Sequence, residues 1–335
     1  MIRMFTVMAM ALFALTLRAD KVKVIFDTDM YTDYDDVGAL AMLHALADAG
    51  ECEIVAVGCN TYGDGNKSVA VCEIVNSYYG RGDIVVGCSR KGGERGAGRR
   101  GYGLPDKYPQ WVKHPVSSDA PDAVEVYRKA LEKEPDGSVV LCSVGLLNNV
   151  AELLRVDRTL VERKVKSWVC MACAYPNGKE YNSMTDAAAS EYAFVHWPKT
   201  VPIIWTDFQY GRYCFAGRAI AELSVEGSPV KDAFSAMLTP RGKVVKDKTW
   251  DQMDGHPAWD QTAVLIAVRG WEPYFSLQRG CYRMAGKDGE NVWTDDSKSI
   301  NGRVDEKRGF TRADVGKVID ELMCRTPKAR IDRSR

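Results

Sequence analysis

Five aspartates fall within ten residues near the amino-terminal end of the chain, in Asp27-Thr28-Asp29-Met30-Tyr31-Thr32-Asp33-Tyr34-Asp35-Asp36. Carboxylates packed this closely repel one another unless something cationic holds them. A hard cation with oxygen ligands, Ca²⁺ or Mg²⁺, answers that need. The spacing is not that of an EF-hand loop, which needs a glycine at its sixth position and an acid at its twelfth. The plainer alternative is a solvated acidic turn that caps the helix after it.

Other reactive residue types point less clearly to chemistry. Ten cysteines are too few for a disulfide scaffold, and several sit in apolar, strand-like runs. Cys170-Met171-Ala172-Cys173 matches C-x-x-C, but no second pair stands at zinc-site spacing. Of the four histidines, His44 and His196 fall in helical patterns and His114 in a polar stretch; His256, three residues before Trp259, could reach a pocket there. There is no G-x-S-x-G nucleophile elbow and no G-x-x-x-x-G-K-[ST] phosphate loop. Gly96-Ala97-Gly98 follows no strand-to-helix turn, which argues against dinucleotide binding.

The elements that must position the aspartates read as alternating strands and helices. Val22 to Phe26 is an apolar, β-branched strand that ends at Asp27, and a helix follows over Val37 to Ala47. Strands over Glu53–Gly58, Ile84–Gly87, Ser138–Ser143, Val165–Met171 and Val201–Trp205 alternate with helices over Lys67–Tyr79, Asp122–Lys133 and Leu147–Leu154 and one more before Val201. That alternation predicts βαβ units, and strands apolar on both faces predict a sheet covered on both sides. The expected fold is a single α/β domain: a mostly parallel central sheet with helices on both faces, of Rossmann-like kind. Ligands in such folds bind beyond the carboxyl ends of the strands, where the aspartates fall. Arg90 to Pro115, rich in Gly, Arg and Lys and carrying Tyr102, Tyr108 and Trp111, reads as a long loop that could form a lid or rim. Lys243 to Asp254 is polar, Gln261 to Val268 is an apolar helix opened by Asp260, Trp271 to Val292 reads as short strands, and Ala313 to Met323 closes the chain as a helix.

Composition agrees with a soluble enzyme-sized domain. Hydrophobic residues are 46% and charged residues 27%, the balance of a globular protein. Lys+Arg and Asp+Glu are 45 each, which argues against nucleic acid as a partner. Met1-Ile2-Arg3 followed by the apolar run Met4 to Leu17 is too short to span a bilayer and suits a secretory signal. The expected division is a signal peptide over 1–19 and the folded domain over 20–335, exported to the periplasm or outside the cell, with no membrane association after cleavage. Leu17 and Arg18 are unusual residues beside a cleavage point.

The aspartate segment resembles the signature of the nucleoside hydrolases, the inosine–uridine-preferring group and its relatives. That signature is Asp-x-Asp, a short glycine-containing turn, Asp-Asp, then an Ala-Leu helix; here it is Asp27-Thr28-Asp29, Asp35-Asp36 and Ala39-Leu40. Val57-Gly58-Cys59-Asn60-Thr61 is similar to the family's second-strand end. Gly145-Leu146-Leu147-Asn148-Asn149-Val150 is similar to its Gly-x-Leu-Thr-Asn block, and Met171 to the start of its Met-Gly-Gly. Glu180-Tyr181-Asn182 is similar to its Glu-Phe-Asn, and Trp259-Asp260 stands where its last metal-ligating Asp lies. These blocks keep the family's order across about residues 22 to 270.

The resemblance implies a calcium-dependent hydrolase that splits the N-glycosidic bond of ribonucleosides into ribose and free base. It implies Asp29, Asp36, Asp260 and the backbone carbonyl of Asn148 as calcium ligands. Asp35, Asn60, Glu180 and Asn182 would contact the sugar, with Met171 and Asn177 as further substrate contacts, and Asp27 would support from behind. Ca²⁺ would orient a water and lower its pKa, and Asp29 would take the water's proton. Cleavage passes through an oxocarbenium-like sugar.

The departures bear on the base. The turn between Asp29 and Asp35 is two residues longer than usual, with Tyr31 at a glycine position. Met171-Ala172-Cys173 lacks the two glycines, and Trp259 stands where one branch has a catalytic histidine. A purine-specific branch also has Trp before the last calcium-ligating Asp; there aromatic rings stack on the purine and raise the basicity of N7. The resemblance therefore implies a purine preference with Trp259 in a catalytic role. Tyr102, Tyr108 or Trp111 would cover the opposite face, and a plain core role is the alternative for Trp259. Two other functions stand beside this one: a related hydrolase or lyase acting on a non-nucleoside sugar, and a non-catalytic sugar or nucleoside binder. Assembly into a homo-oligomer is left open.

Overall fold

Val24 and Phe26 point into one apolar core and Ile25 into another, so the strand they share must lie inside a sheet packed on both faces. The computed structural model describes residues 20–30, 32–63, 65–91, 103–237, 255–286 and 288–328. The chain runs β1 (Val22–Thr28), α1 (Asp35–Asp48), β2 (Cys52–Cys59), α2 (Ser68–Tyr78), β3 (Val86–Cys88), α3 (Leu104–Lys107), α4 (Ala123–Lys133), β4 (Val139–Ser143), α5 (Asn148–Lys164) and β5 (Val165–Cys170). Then follow β6 (Asn177–Lys179), α6 (Tyr181–Thr185), α7 (Ala187–His196), β7 (Ile203–Trp205), α8 (Phe208–Gly211), β8 (Phe215–Gly217), α9 (Arg218–Glu222) and α10 (Pro229–Met237). Last come β9 (Gly255–Pro257), α11 (Trp259–Arg269), β10 (Phe275–Met284), β11 (Glu290–Asp295), β12 (Gly302–Glu306) and α12 (Arg312–Met323).

Among the described residues ten strands form one sheet in the order β3-β2-β1-β4-β5-β7-β12-β10-β11-β6, while β8 and β9 make a separate antiparallel pair. From β3 to β12 all neighbours are parallel. The extension through β10, β11 and β6 is antiparallel. Residues of α1, α2, α10, α11 and α12 build the core on one face; those of α4, α5 and α7 build it on the other. This is the single α/β domain expected from the alternation. The strand order turns back between β1 and β4, so a crevice opens at their carboxyl ends. Helix α1 is buried from Asp35 to Leu46 and lies inside the core layer instead of lining its surface.

Several elements differ from the sequence reading. Helix α5 continues to Lys164 through a kink at Asp157, whose carboxylate accepts the Leu160 amide at 2.9 Å and restarts the helix. The stretch expected as a free loop contains α3, after which Tyr108 and Trp111 stack on each other with centroids 5.2 Å apart. Tyr108 is buried and donates to Asp232, and Trp111 packs on Tyr78 of α2. Both rings are thus spent on packing the first core, and neither stands free as a lid. Strand β12 (Gly-Arg-Val-Asp-Glu) is too polar to read as central, yet it closes the parallel block beside β7. Its Arg303 is buried because Asp207 accepts its Nε at 2.6 Å, and the Tyr282 hydroxyl donates to the same carboxylate at 2.9 Å. The expected signal peptide (1–19), Tyr31, Tyr102 and the polar stretch 243–254 lie outside the described residues. Among the described residues no helix is long and apolar enough to cross a membrane.

Candidate active site

The site is built where β1, β2, β4 and β5 end. Asp27, at the end of β1, is fully buried and takes three donors: Asn60 Nδ2 at 2.6 Å on one oxygen, with Tyr127 Oη at 2.5 Å and Asn149 Nδ2 at 2.8 Å on the other. Burial pushes its pKa up to about 6 while the three donors hold it down. The sequence reading named neither Tyr127 nor Asn149 as a partner of Asp27. Two residues on, Asp29 is buried with its carbonyl accepting the Thr32 hydroxyl at 2.6 Å and the Thr32 amide at 3.1 Å. That turn sends the chain into α1.

Two helix N-termini deliver the remaining carboxylates. Asp35 and Asp36 lie in the first turn of α1, and Asp260 in the first turn of α11, which packs against it. A helix N-terminus favours negative charge. One carboxylate oxygen from each of Asp35, Asp36 and Asp260 lies within 4.8 Å of the others. Thr28 Oγ1 donates to Asp36 and accepts the Met30 amide at 3.0 Å. The Asp260 amide donates to Asp35 Oδ2 at 3.4 Å. A second group brings Asp33, Asp35 and a ring nitrogen of His256 within 4.8 Å of one another. Asp29 stands outside both groups, yet its charge and that of Asp36 act on one another.

Burial, and then mutual repulsion, raises the carboxyl pKa values of Asp29, Asp35, Asp36 and Asp260 well above the ordinary range. Such a cluster must take up protons or a cation. Its donors at Asp35, Asp36 and Asp260 are all carboxylate oxygens, a set that suits a hard divalent ion better than a soft one. The residues present therefore fit a metal centre.

Around it the other expected residues fall as follows. Asn60 and Asn148 are buried; Asn148 Nδ2 donates to the Asn60 carbonyl at 2.9 Å and the Lys91 carbonyl at 2.8 Å. Among the described residues the side-chain oxygens of both are buried with no partner, so each can accept a hydrogen bond from a ligand. Glu180 caps α6, accepting the amides of Asn182 (2.9 Å), Ser183 and Cys173 (both 3.0 Å). Asn182 Nδ2 donates to the carbonyls of Val144 and Met171, both at 3.1 Å, tying the ends of β4 and β5 together. Met171 is buried beneath it. Asn177 is exposed on edge strand β6, paired with Val292, and the strand runs directly into Glu180.

Trp259 opens α11 and is half-buried. Its indole N–H donates to the Phe208 carbonyl at 3.0 Å, one ring face stacks on Phe208 at 5.6 Å, and His256 meets it edge-on at 5.9 Å. Gly211 permits this, since a β-carbon there would lie 2.3 Å from the indole. Phe208 is fixed in turn because Asp207, held by Arg303, caps α8 through the Tyr210 amide at 3.2 Å. Sequence reading singled out neither Asp33 nor Phe208. The only signal for Asp33 was its place among five aspartates, and Phe208 carried none.

The remaining histidines and the Cys-x-x-Cys pair are structural. His44 bonds Asn76 at 2.8 Å and stacks on Tyr79, and burial lowers its pKa to about 3, so it is neutral. His114 pairs with Glu73 at 2.6 Å, and His196 lies on Tyr192. Cys170 and Cys173 are buried with thiols pushed up by desolvation, which disfavours the reactive thiolate.

Comparison with known proteins gives a consistent picture. A family model described as inosine-uridine preferring nucleoside hydrolase matches residues 24–330. No curated protein matches the chain. Among solved structures, an inosine-uridine preferring nucleoside hydrolase from Bacillus anthracis superposes with a TM-score of 0.65 at 17% identity, covering 90% of this chain and 99% of that one. An inosine-guanosine nucleoside hydrolase gives 0.65 at 19%, covering 90% and 97%. The type III effector XopQ, complexed with adenosine diphosphate ribose, gives 0.64 at 15%, covering 90% and 93%. At these identities the likeness is one of fold.

Proposed function

Because the chain belongs to the inosine-uridine preferring nucleoside hydrolase family of N-ribohydrolases, we propose that it is a calcium-dependent enzyme that splits purine ribonucleosides into ribose and free base. The observation that carries this reading is the convergence of Asp35, Asp36 and Asp260 beside Asp29, with Trp259 at the same helix end. Asp29, Asp36, Asp260 and the Asn148 carbonyl would hold the ion. When bound, Ca²⁺ supplies a site for a water of lowered pKa and for ribose hydroxyls.

Asp29 takes the proton of the attacking water. Asp35 faces the ribose hydroxyls, and Asn60, Glu180 and Asn182 fix the ring so that attack is in line. Asn60 Oδ1, buried without a partner among the described residues, is a suitable acceptor for a sugar hydroxyl. Glu180 and Asn182 shape the wall through their backbone contacts, with Met171 beneath. Asn177, exposed on β6 three residues before Glu180, would add a further substrate contact.

The leaving base needs its charge met. Trp259 has one face against Phe208; a purine stacked on the other would gain basicity at N7 and take a proton from solvent. Stacking of this kind is worth about 1–3 kcal/mol, or roughly 5- to 150-fold. The wild type is expected to cleave inosine faster than uridine, and Trp259→Ala should depress kcat on inosine far more than on uridine. His256→Asn, which alters a neighbour of the carboxylates, should affect both substrates alike. Steady-state rates on the two nucleosides decide; faster cleavage of uridine by the wild type defeats the stacking reading.

Export is part of the same proposal, from the apolar run Met4–Leu17. Mass spectrometry of protein secreted by its host should find a chain that begins near Asp20. A soluble cytoplasmic protein with Met1 in place contradicts this.

A further inference from the structure

Gly58 sits inside β2, one residue before its end, where a glycine weakens a strand and calls for a reason. The reason is Tyr127. A β-carbon at residue 58 would lie 1.9 Å from Tyr127 Oη and 2.5 Å from Cζ. The tyrosine rises from α4, on the face of the sheet that holds the second core, and its hydroxyl passes Gly58 to reach Asp27 Oδ2 at 2.5 Å. Its ring is wholly buried, and 100 residues of chain separate the two partners.

Asp27 is a hub of buried hydrogen bonds at the carboxyl end of β1, and its other donors are Asn60 and Asn149. Asn60 carries the unmet acceptor assigned to the sugar, and Asn149 follows the Asn148 whose carbonyl is assigned to the ion. If Asp27 turned, both asparagines would turn with it. Tyr127 is the one of these three donors that comes from a packed helix outside the pocket rim, and it shares an oxygen with Asn149.

We propose that Tyr127 is a positioning residue for ribose cleavage: a strut, given passage by Gly58, that locks Asp27 and through it Asn60 and the first turn of α5. This rests on the functional reading above. A tyrosine that merely fills the core would be replaced by phenylalanine with little effect on the chemistry, since the ring is kept. A strut needs the hydroxyl.

The test is Tyr127→Phe in the full chain, with thermal unfolding, kcat and KM on inosine, and inhibition by free ribose measured together. The strut predicts a fall in kcat of about tenfold or more, as expected when a site's groups are misplaced, and a severalfold weaker ribose inhibition constant, alongside a fall of a few degrees in unfolding temperature from the lost buried hydrogen bond. Gly58→Ala, which displaces the hydroxyl without removing it, should lower kcat at least as much. If the wild type is active and Tyr127→Phe keeps kcat and ribose inhibition within about twofold, the strut is overturned, whatever happens to stability. If the wild type releases no ribose from any nucleoside, the functional reading fails and takes the strut with it.

Discussion

Asp29→Asn is expected to remove nearly all turnover, a loss of about 10³-fold within the 10²–10⁴ span that a positioned general base contributes. The amide has almost the shape of the carboxylate and can still ligate weakly, but it cannot accept a proton from water. The fold should survive, because the turn at Asp29 is held by its backbone carbonyl and Thr32. In ion-free protein, removing one carboxylate from a repelling cluster also relieves strain, so the unfolding temperature measured with chelator should hold or rise. Circular dichroism and thermal unfolding establish the fold, and single-substrate kinetics the loss. A folded variant that keeps more than about a tenth of wild-type kcat removes Asp29 from the role of base.

Calcium removal should be nearly as severe for activity and should change how stability depends on pH. Asp27, Asp29, Asp35, Asp36 and Asp260 all have folded pKa values above their unfolded values. The ion-free native state therefore binds more protons than the unfolded chain, and its stability falls as pH rises above the ordinary carboxylate value of about 4. With the ion bound its carboxylate ligands are compensated, and the fall should shrink to the share that Asp27 contributes. Calcium at about 100 times its Kd adds roughly 2.7 kcal/mol, which at about 2–4 °C per kcal/mol is an upward shift of roughly 5–10 °C. That shift should be larger at pH 8 than at pH 5. Scanning calorimetry with calcium and with chelator at both pH values tests this; equal shifts at the two, or none, would count against a calcium centre built on these carboxylates.

Much of this site was legible in the sequence because its chemistry is local. Asp27, Asp29, Asp35 and Asp36 come from one strand end and one helix start, and the apolar run before them announces the strand. The alternation of strands and helices carries the parallel sheet for the same reason, since each βα unit is a short-range pattern. What stayed hidden depends on distant pairs. Tyr127 looks like any apolar residue of an amphipathic helix, and only its meeting with Asp27 across β2 gives it meaning. His256 and Asp33 are brought together from opposite ends of the chain. Strand β12 is polar because Arg303 finds Asp207 in the core, a pairing no window of sequence contains. Tyr108 and Trp111 read as a loose rim because glycine and arginine surround them, yet their stacked rings pack the core.

Whether the protein hydrolyses nucleosides is tested most directly by incubating the purified, calcium-loaded wild type with inosine, guanosine, adenosine and uridine and measuring free reducing sugar and free base. Equal amounts of ribose and base, formed fastest from a purine nucleoside and abolished by chelation, are the predicted result. Intact nucleosides after prolonged incubation, with a non-nucleoside sugar cleaved instead or a nucleoside bound and never split, would contradict it.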